Sequence, residues 1–183
     1  MIDPLLSRTI AVSFALLLLL SAWHKVAARD SFTVALAEYR LLPAALLPLA
    51  VALIAGLEAG LGVAWLAGYQ PGAVASLTAA LLATYAAAIA INLWRGRVHI
   101  SCGCGFGGAS AEHQPLSWWL VARNLLLGAV AVVATVPATS RDLGPYDWLT
   151  MALALVAAGV LYSGASQLLR NGAALASWRR PRD

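Results

Sequence analysis

The chain is short of charge. Of its 183 residues only 12 are Lys or Arg and 8 are Asp or Glu, 11% in all, where an ordinary soluble domain devotes about a quarter. That scarcity excludes a water-soluble fold, and the mean hydropathy of +0.79 agrees. Long polar segments are missing too. No loop or tail can hold a soluble core of its own, so residues 1–183 are expected to form a single integral membrane domain. A continuous basic face is also lacking. The net charge of +4 comes from arginines scattered near helix ends, which argues against nucleic-acid binding and for anchoring in a lipid bilayer. Cysteine is nearly absent: two residues, Cys102 and Cys104, separated by one glycine.

What is present is apolar sequence in blocks of bilayer length, roughly 20 residues each. The expected fold class is all-α, a polytopic transmembrane helical bundle. Five spans can be placed, at about 5–22, 41–66, 73–94, 116–136 and 148–169, with a polar loop over 95–115 between the third and fourth. The first apolar run, Ile10 to Trp23, has the length of a secretory signal. It is preceded by Asp3 and Pro4 and lacks a clear small-x-small exit, so it is expected to be a retained helix. Between the first two spans, Val26, Phe32, Leu36 and Tyr39 could form one face of an amphipathic interfacial segment. Pro43 and Pro48 fall early in the second span, where proline is expected to kink the helix. Gly68-Tyr69-Gln70-Pro71-Gly72 reads as a short turn between antiparallel helices. Abundant Ala and Gly, such as Gly56, Gly60 and Gly62, predict close helix packing.

The cysteine segment, Cys102-Gly103-Cys104-Gly105-Phe106-Gly107-Gly108, is rich in the residue that permits the tightest backbone. A one-residue disulfide loop lies near the edge of comfortable geometry, so its bond should be easily reduced. A structural staple would gain little, because so short a loop removes little unfolded-state entropy. Three readings remain open on the residues alone. The pair could cycle between dithiol and disulfide; it could join His99 and His113 in binding a metal such as zinc, although that spacing is not a standard pattern; or the loop could be an inert turn.

Basic neighbours favour the first reading, since nearby cations raise the thiolate population. Arg95, Arg97 and His99 lie just before the pair, and His24, Lys25, Arg40 and Arg123 join them if alternate helix ends meet on one side. Lys25 and Arg95, at helix ends, read equally well as cations that snorkel to the interface. Arg123, beside Asn124, falls about two turns inside its span, where charge is costly and therefore usually functional or paired. Glu58 draws the same suspicion; it falls deeper than Arg123, and no pairing between the two is claimed. Asn92 and Asn124 add amides within the spans.

Ile91-Asn92-Leu93-Trp94-Arg95-Gly96-Arg97, followed by His99-Ile100-Ser101-Cys102-Gly103-Cys104, resembles the signature of the MauE family within the DoxX-like group of membrane proteins. His24-Lys25, Tyr39-Arg40-Leu41-Leu42-Pro43 and Ser117-Trp118-Trp119-Leu120-Val121-Ala122-Arg123-Asn124 support it, so that the likeness runs from about residue 15 to 130. One departure is Gly105, where the family pattern would place Phe directly after the second cysteine. The resemblance implies a DoxX-like four-helix core plus a fifth helix, multi-pass in the inner membrane. It also implies a role in methylamine utilisation: redox maturation of an exported protein, the methylamine dehydrogenase small subunit or another client, with a thioredoxin-like partner of MauD type. By carry-over, Cys102 and Cys104 are the redox-active disulfide, which would make the chain a thiol-disulfide oxidoreductase. A quinone would serve as its electron partner by analogy with other membrane disulfide oxidases, but no quinone site is legible in the sequence. Two rivals stand beside this reading, the metal-binding membrane protein and a non-enzymatic assembly subunit.

Sidedness is contradictory. Lys and Arg concentrate on the face that carries the cysteines, which points to the cytoplasm, whereas oxidative maturation of an exported client wants them outside.

Overall fold

The computed structural model describes residues 1–98 and 116–178, with residues 165, 166 and 168–178 in backbone only. Within these it is all-helical: α1 (Pro4–Ala27), α2 (Arg29–Glu38), α3 (Leu47–Ala67, preceded by a single 3-10 turn at Ala44–Leu46), α4 (Pro71–Trp94), α5 (Trp118–Val133) and α6 (Pro145–Trp178). The described chain divides into two compact units, one from Met1 to Thr139 and one from Ser140 onward.

In the first unit α1, α3, α4 and α5 form a four-helix core, consecutive partners running antiparallel. α1 and α3 approach closely where Gly62 faces Leu19; a methyl group on Gly62 would stand 2.7 Å from the Leu19 Cγ. Further along the same seam the rings of Phe14 and Trp65 stack at 5.5 Å. α3 and α4 are joined by three residues, Gly68, Tyr69 and Gln70. Gly68 closes α3 at φ +64, with Gly68 N–H donating to Trp65 and Tyr69 N–H to Ala64, the left-handed cap in which glycine pays no side-chain penalty. The core is Ile10, Phe14, Ala15 and Leu18 of α1, Trp65 of α3, Val74, Ala75 and Leu82 of α4, and Ala131 and Ala134 at the end of α5.

The packing is that of a membrane bundle. Small and polar residues face inward, among them Ala15, Ala75, Thr78, Asn92 and Glu58, while Leu16, Leu20, Leu53, Leu57 and Leu77 face out. Without a hydrophobic drive between helices in lipid, close approach of small side chains supplies the packing energy. Among the described residues four helical stretches are long and apolar enough to cross a bilayer: Pro4–Ala27, Ala44–Ala67, Pro71–Trp94 and Pro145–Gly164. Trp23, Trp94, Trp118 and Trp119 are exposed at the end of the bundle that carries α2, where amphipathic rings sit at headgroup level.

Several expectations change. The prolines produce no kink: Pro43 caps the 3-10 turn and Pro48 lies in the first turn of α3, where the missing N–H would have had no helical partner anyway. α5 is shorter than the apolar run that predicts it. Its 16 residues span about 24 Å, because Leu116 and Ser117 are extended and Thr135 and Val136 close as single turns. The amphipathic segment does become a helix, α2, and Tyr39 and Ala35 are buried at its inner side, but Val26 is exposed. Arg40 ends that segment in the left-handed region at φ 47, a strained conformation for a residue with a Cβ.

The second unit, among its described residues, is α6 and the loop before it. Arg141 forks onto Asp147 at 2.9 and 3.2 Å, and Asp147 also accepts from the Gly144 N–H at 2.8 Å, which fixes the helix start.

Candidate functional site

Cys102, Cys104, His99 and His113 lie outside the described residues, so the site is built from what surrounds the ends of their loop. α4 finishes in a left-handed glycine cap: Gly96 has φ +71, its N–H donates to Leu93, and Arg97 N–H reaches back to Asn92. The chain then extends to Val98, whose carbonyl accepts from Leu116 N–H at 2.9 Å. The two stems of the cysteine loop are therefore bonded to each other directly above the α4–α5 seam. Leu116 and Leu120 pack there with Ile89 of α4 and with Tyr39 from the end of α2, and Trp94 and Trp118 meet with ring centroids 6.0 Å apart. The loop is anchored at the α2 end of the bundle.

Polar groups collect under the stems. Asn92 is fully buried; its Nδ2 donates to Ala88 at 3.0 Å, and its Oδ1 accepts no hydrogen bond among the described residues. Asn124 is buried on α5 and donates to Leu120 at 2.8 Å. Arg97 is half-buried, with Nη1 enclosed and without a partner among the described residues. Arg123 is half-buried one residue before Asn124, whereas Arg95 and His24 are exposed. Of the cations expected around the thiols, Arg97 stands on the loop stem itself and Arg123 on the helix that follows the loop.

Lys25 departs from expectation. Instead of snorkelling outward it turns into the bundle and is 4% exposed, bonded at 2.8 Å to both carboxylate oxygens of Glu58, itself 1% exposed. The third Lys25 N–H goes to Ser21 Oγ at 2.6 Å, and Ser21 and Tyr85 both donate to Glu58 Oε1, at 3.0 and 2.8 Å. Every ammonium proton is used and the carboxylate accepts four hydrogen bonds. The rings of Phe32 and Tyr85 lie 5.3 and 5.8 Å from Nζ. Such saturation is what a buried ion pair requires, since each unshielded charge would cost several kcal/mol. Sequence reasoning flagged Glu58 and Lys25 separately and missed their pairing, along with Ser21 and Tyr85. The four-residue step from Ser21 to Lys25 puts both on one helix face, a usable signal; nothing local marks Tyr85.

Beside this cluster, between α2, α3 and α4, is a cavity of about 560 Å³ with almost wholly apolar walls. Lys25 and Tyr85 line it from the ion pair, Tyr39 and Ile89 from the packing under the loop stems.

The family described as methylamine utilisation protein MauE matches residues 3–137. Relatives named methylamine utilization protein MauE include that of Paracoccus denitrificans, 38% identical over 155 residues and 78% of each chain. The protein of Methylophilus methylotrophus is 30% identical over 168 residues, 91% of this chain and 87% of its own. That of Methylorubrum extorquens is 31% identical over 177 residues, 96% and 89%. No solved structure matches the chain. With the match running from the first helix through the fifth and taking in the segment of Cys102 and Cys104, the chain is a multi-pass membrane protein of the MauE family.

Proposed function

We propose that the chain is a thiol-disulfide relay of the inner membrane, serving methylamine utilisation by passing redox equivalents between Cys102 and Cys104 and a thioredoxin-like protein of MauD type. A thiolate of the reduced partner attacks one sulfur of the Cys102–Cys104 disulfide, forming a mixed disulfide and releasing the other sulfur as thiolate. The second partner thiol then displaces the mixed bond. The partner leaves as a disulfide, and both cysteines of the chain are left reduced. In the opposite direction the same steps reduce the partner. The methylamine dehydrogenase small subunit, or another exported protein rich in disulfides, is the client downstream.

The observation that carries this reading is the anchoring of the loop. The hydrogen bond from Leu116 to Val98 holds its two ends together at one end of the bundle, with Arg97 on the first stem and Arg123 on the helix that follows the second. Cations near a thiol favour thiolate, the attacking species, and a loop that starts and ends at one end of a helix bundle suits exchange with a soluble partner. The names of the relatives supply the metabolic setting.

The test is the thiol state of the chain in cells, read by gel shift with and without the thioredoxin-like partner. Cys102→Ser is expected to abolish exchange, and Cys104→Ser to trap or lose a mixed disulfide. Full activity in both variants ends the proposal.

A further inference from the structure

We propose that the cleft between α2, α3 and α4 seats one anionic membrane phospholipid, an acyl chain lying along its walls and the phosphate at Arg40. Such a site goes beyond the relay reading and stands without it.

The cleft exists because α3 and α4 pack loosely. Although three residues join them, they touch far less than α1 and α3 or α4 and α5 do. The space left, about 560 Å³, is bounded on its third side by Phe32, Ala35 and Leu36 of α2. Of its wall residues Leu57 and Leu77 are more than half exposed, and Ala80 and Thr84 are exposed as well. On helices that cross a bilayer such positions meet lipid, so the cleft opens sideways onto hydrocarbon and is filled from there.

The polar groups of the wall ask for nothing. Lys25 gives its three protons to Glu58 and Ser21, the Tyr85 hydroxyl donates to Glu58, and the Thr84 hydroxyl donates to the Ala80 carbonyl at 2.9 Å. A ligand with polar ring substituents would leave them unpaired against these walls, at a cost of about 1–3 kcal/mol each. A saturated chain has no such group.

The mouth supplies the charge. Arg40 is exposed and stands between Tyr39 and Leu41, both of which line the cleft. This end of the bundle carries the exposed rings of Trp23 and Trp94, at the level where headgroups lie. A guanidinium there meets a phosphate through two parallel N–H donors. A phosphate joined to an acyl chain uses both the cation and the cleft, whereas a soluble anion uses only the first and a neutral hydrocarbon only the second. The seated lipid fills the gap between α3 and α4. Through Tyr39 and Ile89, which also line the cleft, it supports Leu116 and Leu120 at the loop stem.

The full chain, delipidated in mild detergent, is titrated with palmitoyl-oleoyl phosphatidylglycerol and read by native mass spectrometry. One lipid per chain is expected, saturably bound and raising the melting temperature. Dioleoylglycerol, which has chains without phosphate, and glycerol phosphate, which has phosphate without chains, are each expected to bind about tenfold or more weakly. Ala80→Phe and Leu57→Trp put rings into the cleft from exposed positions and are expected to weaken phosphatidylglycerol binding about tenfold. Arg40→Gly is expected to do the same while leaving dioleoylglycerol unaffected. Because glycine relieves the φ of 47 at this position, that variant folds at least as well as the parent, so its loss of lipid is not a loss of structure. The proposal falls if phosphatidylglycerol shows no saturable binding, or if dioleoylglycerol binds as tightly, which marks unselective lipid contact. It falls equally if glycerol phosphate alone displaces the lipid, if all three variants keep the parent affinity, or if the delipidated chain pairs with a second copy in place of taking up lipid.

Discussion

Replacing Lys25 by methionine keeps the length of the side chain and removes its charge, leaving the Glu58 carboxylate 1% exposed with only Ser21 and Tyr85 as partners. Breaking one side of a buried ion pair costs about 3–5 kcal/mol, because the remaining charge is uncompensated. Glu58→Met is expected to cost as much from the other side, stranding an ammonium whose remaining hydrogen bond is to Ser21. If the two losses were independent, the double variant would lose roughly 6–10 kcal/mol. The double variant buries no charge, however, and takes from the Ser21 and Tyr85 hydroxyls only the Glu58 acceptor, at about 1–3 kcal/mol. It should therefore be more stable than either single variant. Unfolding of the purified protein in mixed micelles, followed by tryptophan fluorescence against SDS fraction, measures all four forms of the cycle. Single losses under about 1 kcal/mol, or a double loss equal to their sum, would refute the claim that this pair is dry and mutually dependent.

Three further outcomes follow from the packing. Gly62→Ala puts a Cβ 2.7 Å from Leu19 Cγ and 3.3 Å from its backbone nitrogen, so the same unfolding assay should show a loss of about 1–3 kcal/mol; Gly60→Ala, with nothing within 4 Å, should be neutral or gain up to about 1 kcal/mol from helix propensity. Thr78→Val removes the acceptor of the buried Trp65 Nε1–H, bonded at 3.0 Å, and should cost about 1–3 kcal/mol with a shift in Trp emission. Gly96→Ala forces a Cβ into φ +71, at about 1–2 kcal/mol, and by loosening the cap that leads into the cysteine loop should change the rate of maleimide labelling of the cysteines; an unchanged rate would separate that cap from the loop's behaviour.

Much of the fold was legible because lipid imposes a simple rule. Each apolar block had to become a helix, since the bilayer core offers no partner for unpaired backbone groups, and each of the five predicted spans overlaps an observed helix. The boundaries were harder to read. Pro43 and Pro48 read as kinks because their offset from the true helix start was invisible; once α3 begins at Leu47, Pro48 is a first-turn residue. The polar residues of the spans were legible as oddities, Glu58 above all. Their partners were not, because pairing depends on which helix faces meet. Lys25 shows the limit most clearly: a lysine two residues from a helix end snorkels outward by default, and only the presence of Glu58 across the α1–α3 seam turns it inward.

The sequence by itself determined that this is a membrane protein, roughly where its helices run, and that its two sulfurs share one short loop, because hydropathy, helix caps and local spacing are properties of neighbouring residues. Tertiary structure alone decided that Lys25, Ser21 and Tyr85 converge on Glu58, that Val98 and Leu116 close the stems of the loop, and that a cavity opens between α2, α3 and α4. Those features join residues far apart in the chain, through helix rotations fixed by close contacts such as Gly62 on Leu19, and no local pattern encodes a rotation.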